Sequence, residues 1–189
     1  MARIREQEQG NFEKTQDSSR HNGIEGKVPP HSIELEMHLL GGLMIDNSLV
    51  DSVLAFLKPK HFYKSAHSLI FQAISELSYR REPVDLITVT EELKNREQLD
   101  VIGGPYYLTE LTESFASSES IDYAARRILE YWLKRDLINI TSSIQDMCFD
   151  STTETQSLLN KAQYDILDIT NVLQKKPYVL LSKEVNTTM

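Results

Sequence analysis

Two long amphipathic segments between Ser118 and Leu173 constrain this chain more than any other feature. In the first, Leu133, Leu137, Ile140, Ile144 and Met147 recur at steps of four and three, which places a continuous apolar seam on one face of an α-helix. In the second, Leu159, Ala162, Ile166, Ile169 and Leu173 repeat the pattern. Only Asp150-Ser151-Thr152-Thr153 separates them, so the pair reads as an antiparallel helical hairpin. A helix from Ser120 to Phe149 is ~45 Å long at ~1.5 Å per residue, longer than a small domain is wide. Part of the seam, carried by Leu133, Leu137, Ile140, Leu159, Ile166, Ile169 and Leu173, must therefore meet another chain or project as an arm. Self-association through the hairpin is the first expectation.

The remainder divides into short helices. Residues 1–28 are polar and glycine-rich, and are read as a disordered tail closed by Pro29-Pro30. Ser32 is a good N-cap, with Glu34 and Glu36 placed to compensate the helix dipole, and Ile33, Met37, Leu40 and Met44 run through Gly41-Gly42 as an apolar stripe. The glycine pair either admits another helix closely or kinks this one. Ser48 with Asp51 is read as a capping box for a second helix buried through Val50, Val53, Leu54 and Leu57. Ser65 is read as the cap of a third, carried by Ala66, Leu69, Ile70, Ala73, Ile74 and Leu77. Thr88 and Glu91 are read as the box of a fourth, and Gly103-Gly104-Pro105 opens a fifth through Tyr107, Leu108, Leu111 and Phe115. Nothing alternates with period two, so the fold is expected to be all-α: a small multi-helix head at 29–117 and a long helical hairpin at 118–176.

Charge and motifs narrow the chemistry. The net charge of −8 falls entirely within residues 31–150, which hold 11 Lys/Arg against 19 Asp/Glu. Such a body repels phosphate, which argues against unaided nucleic-acid binding, the alternative reading of a stand-alone helical module. The lone Gly-Lys pair, Gly26-Lys27, is followed by Val28 and lacks the companion glycine and Ser/Thr of a phosphate loop. His31, His38, His61 and His67 show no metal-ligand spacing and are read as packing or capping residues. Cys148, between Met147 and Phe149, is read as a core residue rather than a nucleophile, and a single cysteine fits the cytoplasm. The carboxylate pairs Glu34/Glu36 and Glu91/Glu92 are read as dipole compensation or solvated faces. Trp132 is read as an aromatic anchor between helices, and one of Tyr106 and Tyr107 must be exposed. No catalytic, cofactor or metal residue is expected in these 189 residues.

Taken in order, Pro29-Pro30-His31-Ser32 with Glu34 and Glu36, Leu40-Gly41-Gly42-Leu43, His61-Phe62-Tyr63 with Ala66-His67 and Ile70-Phe71, Glu82 to Leu93, and Gly103-Gly104 with Tyr107-Leu108 form a series. That series resembles the N-terminal domain of the bacterial replicative DNA helicase family, DnaB, over residues 29–176. The resemblance implies a globular head followed by a hairpin that pairs between subunits, and a hexameric collar built as a trimer of dimers. It implies that the collar docks primase above RecA-like motors that bind ATP and Mg and unwind DNA, with a helicase loader as a further partner and DNA held by the ring rather than by this domain. Residues 177–189 would begin the linker to such a motor. Carried over position by position, the primase contacts fall on Glu34, Tyr107, Ile138 and Ile144. Ahead of the two isoleucines, the chain reads Tyr123-Ala124-Ala125-Arg126-Arg127-Ile128 where the family commonly has Tyr-Ala-Arg-Ile.

Overall fold

In the computed structural model, residues 27–174 are described, and the expectations for the tail before residue 27 and the linker after residue 176 lie outside them. Eight α-helices account for the fold: α1 (Ile33–Ile45), α2 (Val50–Leu54), α3 (Ser65–Tyr79), α4 (Leu86–Asn95), α5 (Leu99–Ile102), α6 (Gly104–Glu113), α7 (Ile121–Phe149) and α8 (Thr155–Gln174). No strand occurs among the described residues, as the sequence led us to expect. No described helix is long and apolar enough to cross a membrane.

The head is organised around α1, which is buried all round from Leu39 to Met44 rather than along a single stripe. It packs on α3, α4, α6 and α7. Gly41 is where α6 crosses, with the Leu111 main chain against it, and Gly42 meets Phe115 and Ile121. The glycine pair admits close helices, and α1 runs unbroken through it. The core continues through Ile70, Phe71, Ile74, Val89, Leu93, Leu108 and Leu111.

Helix starts are where the sequence misled. Ser48 is not an N-cap; Asp46 accepts from the Ser48 N–H and hydroxyl and opens a 3-10 turn at Asn47–Leu49 before α2. The cap of α4 is Asp85, with Thr88 as the third residue of the box, so the helix starts two residues before Thr88. An aspartate accepts from two N–H groups at once, here Ile87 and Thr88, and displaces the weaker threonine. Ser65 makes no cap either, and α5 is a four-residue turn with no apolar period to betray it.

The hairpin forms as read, with a turn at Asp150 and Thr153, but α7 belongs to both parts of the molecule. Ile121, Ala124, Ala125, Ile128, Trp132 and Leu133 are buried in the head, and α7 packs on α1 as extensively as on α8. Beyond Arg135 the helix leaves the head as an arm covered on one side by α8. Cys148 is exposed there, as is Phe149, because among the described residues the arm's end has no neighbour other than α8; the core reading of Cys148 is corrected.

Candidate docking surface at the junction of head and arm

Four polar side chains form a connected chain under α6. Glu36 is 2% exposed although it sits in the first turn of α1, because it lies three residues before Leu39 and four before Leu40, on the inward face. Its carboxylate accepts from the Tyr63 N–H at 2.7 Å and the Lys64 N–H at 3.3 Å, tying down the start of α3. His67 Nδ1 lies 2.7 Å from Glu36 Oε2, and its Nε2 lies 2.6 Å from the Tyr107 hydroxyl. Lys64 Nζ donates to that hydroxyl at 2.7 Å and covers the ring at 4.2 Å. With Nδ1 carrying the proton, every group is satisfied in one direction: lysine to tyrosine, tyrosine to histidine, histidine to carboxylate. A buried polar network satisfied at every member rigidifies what it holds. What it holds is Tyr107, half-buried while Tyr106 is 80% exposed.

A second construction joins the head to the arm. Arg135 of α7 donates to the Pro30 and His61 carbonyls, both at 2.7 Å, and lies over the Tyr63 ring, on which His31 stacks at 3.9 Å. Burial lowers the Arg135 pKa, opposed by the nearby Glu36 carboxylate. Trp132, one turn back, packs on His61 at 4.4 Å under Lys60 Nζ. It is therefore an anchor between α7 and the 3-10 turn at Pro59–His61.

His61 itself is buried and neutral. Its Nδ1 accepts from the Lys58 N–H at 3.0 Å, and burial, helped by Lys60, Lys58 and Arg135, lowers its pKa to about 4. A histidine shifted downward stabilises the fold fully above its unfolded pKa of about 6.5, and that stability is lost as pH falls towards 4. The loss should reach about 3 kcal/mol, since each pKa unit is worth about 1.4 kcal/mol. Urea unfolding of the parent and of His61→Phe at pH about 7.5 and about 4.5 checks this. The parent should lose more stability on acidification than the variant does, and equal losses would refute it.

The expected contact residues are distributed over this junction. Glu34 is exposed, and its pKa is lowered, first by its own backbone N–H and then by the Ser32 hydroxyl at 2.9 Å. Glu34 lies four residues from Pro30, which Arg135 holds, and Ile138 lies three residues beyond Arg135, 40% exposed. Tyr107 is tied to α1 through His67 and Glu36. Ile144 is half-buried and stands about 9 Å further along the arm. Of the seam residues, Leu133 is buried at the base, Leu137, Leu159 and Ile166 are exposed, Ile140 and Ile169 are half-buried, and the side chain of Leu173 lies outside the described residues.

Sequence reasoning missed the Glu36–His67 pair and Arg135. Glu36 and His67 each stand at a position where the helical period calls for an apolar residue, three before Leu39 and three before Ile70, and that was the available signal. Glu92 was misread too: it takes ion pairs from Arg80 and Arg96, both at 2.6 Å, which hold its pKa down, Arg80 first. Among the described residues no three His, Cys, Asp or Glu side chains converge to hold a metal ion.

Comparison with known proteins bears on this arrangement. The family described as DnaB-like helicase N-terminal domain matches residues 28–130. The replicative DNA helicase DnaB of Treponema pallidum is 32% identical over 158 residues, 84% of this chain and 36% of the relative, so the chain spans about a third of that protein's length. The crystal structure of the N-terminal domain of DnaB helicase from Mycobacterium tuberculosis superposes with a TM-score of 0.71 at 30% identity, covering 75% of this chain and 99% of that one. A DnaB-like replicative helicase solved for its interactions with primase has the same fold, with a TM-score of 0.60 at 24% identity over 73% of this chain and 31% of that one. The overall fold is thus shared, and the chain belongs to the DnaB-like helicase N-terminal domain family.

Proposed function

We propose that this chain is the assembly and primase-docking domain of a hexameric, ATP-dependent replicative DNA helicase, working in the cytoplasm and carrying no catalytic residues of its own. The observation that carries the reading is the arm, whose outer face leaves Leu137, Ile138, Leu159 and Ile166 between 40% and 56% exposed on a domain of this family. Paired arms remove those side chains from water and build a collar. The rigid surface at the junction, with Glu34, Tyr107 and Ile138, then receives primase, and Ile144 extends it along the arm. ATP and Mg belong to a motor part beyond these residues, and DNA is held by the assembled ring. A loader is a further partner of the assembly.

The test is a titration with the helicase-binding part of primase. Tyr107→Ala should weaken binding by roughly 30-fold, the size of an interface hot spot, with the far-UV circular dichroism unchanged. Tyr107→Phe should fall between the two, because the ring remains while His67 loses its partner. Equal affinity for all three proteins would remove Tyr107 from the surface.

A further inference from the structure

The end of α1, the start of α4 and the last turn of α6 meet around an open groove of about 590 Å³. Met44 is its buried floor, and Ile45, Leu86 and Ile87 line it, with Ile45 52% and Ile87 70% exposed. Isoleucine is among the residue types most often buried, so a groove that leaves two of them open to water is a surface suited to a partner. The charge around it is of one sign. Asp85 and Glu113 line the groove, Asp46 adjoins Ile45, and no Lys or Arg lines it among the described residues. Asp46 accepts from the Ser48 hydroxyl and N–H, which lower its pKa, and Glu113 is exposed with no ion pair among the described residues. An apolar slot with an acidic rim fits a segment that carries an apolar side chain between cations.

The chain itself holds such a segment. Of the stretches outside the described residues, the one after Gln174 leads towards the proposed linker, which leaves residues 1–26. Within them, Arg3-Ile4-Arg5 is the one place where an apolar side chain stands between two cations. Twenty-one residues lie between Arg5 and Lys27, a length that spans up to about 70 Å when extended. That is about three times the length of α3, which at 15 residues is ~22 Å long, so the triplet can reach any face of the head. Tethering also makes the contact intramolecular. At an effective concentration on the order of millimolar, a contact too weak to form between free molecules is mostly occupied.

We infer that the groove between α1, α4 and α6 is the docking site for Arg3-Ile4-Arg5 of the same chain, with Ile4 covering Ile45 and Ile87 and the two arginines meeting the acidic rim. In an extended segment Ile4 points away from Arg3 and Arg5, so it enters the groove while the long arginine side chains lie along the walls and carry their guanidinium groups to the carboxylates. Glu113, free of other partners, can accept both N–H groups of one guanidinium. Apolar cover supplies most of the affinity, and the charges choose this triplet over Phe12 and Ile24, each of which is followed by a glutamate. The inference goes beyond the assembly reading and does not depend on it.

Cross-linking of the 189-residue chain tests it, in a Cys148→Ser background. Gln7→Cys, just past the triplet, is combined either with Glu91→Cys, one turn after Ile87 on α4, or with Lys58→Cys. Lys58 is the control because the tail enters the head beside it: Arg135 holds the carbonyls of both Pro30 and His61, so an undocked tail meets Lys58 at least as often. Under a short bismaleimide the Glu91→Cys chain should form its intramolecular product roughly tenfold faster than the Lys58→Cys chain, at a rate independent of protein concentration. Ile4→Ser should remove that excess, as should Arg3→Glu with Arg5→Glu, and adding Glu113→Lys to the second variant should recover part of it, because the charges are then complementary again. Equal rates at the two positions, or an excess that survives both Ile4→Ser and the charge reversal, overturn the inference. A product that forms only between two chains, rising with protein concentration, overturns the assignment of the segment to the same chain.

Discussion

Adding a single methyl group at position 41 is expected to destabilise this domain by about 3 kcal/mol, lowering its melting temperature by roughly 10 °C. In an ordinary helix interior, Gly→Ala is favourable by about 1 kcal/mol, because alanine lowers the entropy of the unfolded chain and is the best helix former. At Gly41 the new carbon would overlap the Leu111 carbonyl oxygen and lie 2.8 Å from its carbon, and both are main chain. No rotamer change relieves that, so α1 and α6 must separate along their crossing. Gly42→Ala is the control. Its methyl meets the ends of the Ile121 and Phe115 side chains, which can turn aside, so it should cost much less. Thermal unfolding followed by circular dichroism decides it. A Gly41→Ala protein as stable as the parent would mean that α1 and α6 do not cross as closely as this.

That crossing shows what could be read before the structure. Gly41-Gly42 inside an apolar stripe announced either a close helix or a kink, and only the Leu111 main chain decides between them. The hairpin was legible because it is long and its period repeats many times, so tertiary contacts could not mask it. Short elements were not. Asp46 and Asp85 displaced Ser48 and Thr88 as helix-starting caps, since two candidate caps within a few residues are separated by which N–H groups the chain presents, a property of the backbone path. The site was legible only in part. Tyr107 could be placed on α6, but its hydroxyl partners are His67 of α3 and Lys64 just before it, about forty residues earlier, and pairing at that separation leaves no local pattern. Glu36 shows the same difficulty from the other side. A carboxylate in a first turn has an ordinary explanation in the helix dipole, and that explanation hid its burial against His67.

Introducing Asp at Leu137, Leu159 and Ile166 together should abolish self-association, and these three positions were chosen because the seam has two sides. On α8, Leu158, Ala162, Asp165, Ile169 and Val172 are half-buried at helical spacing, with Thr170 beside them, and these form the face turned to α7. Ile140, Ile144 and Met147 answer them on α7. Charging Ile140 would therefore open the hairpin itself, and a loss of association would say nothing about the outer face. Leu137 at 46%, Leu159 at 56% and Ile166 at 51% exposure touch little within the chain, so Asp there should leave the fold intact. In a symmetric pair each substitution counts twice. Six apolar side chains then lose burial worth about 1 to 2 kcal/mol each, and the carboxylates add to an arm already at net charge −5. Even half of that sum, about 3 to 6 kcal/mol, is more than a hundredfold in affinity, enough to move a micromolar pair to about 0.1 mM or weaker. Sedimentation equilibrium should show only monomer, with the melting temperature close to that of the parent. If the triple variant associates as the parent does, the outer face of the arm is not where copies meet, and the collar must be built through the heads.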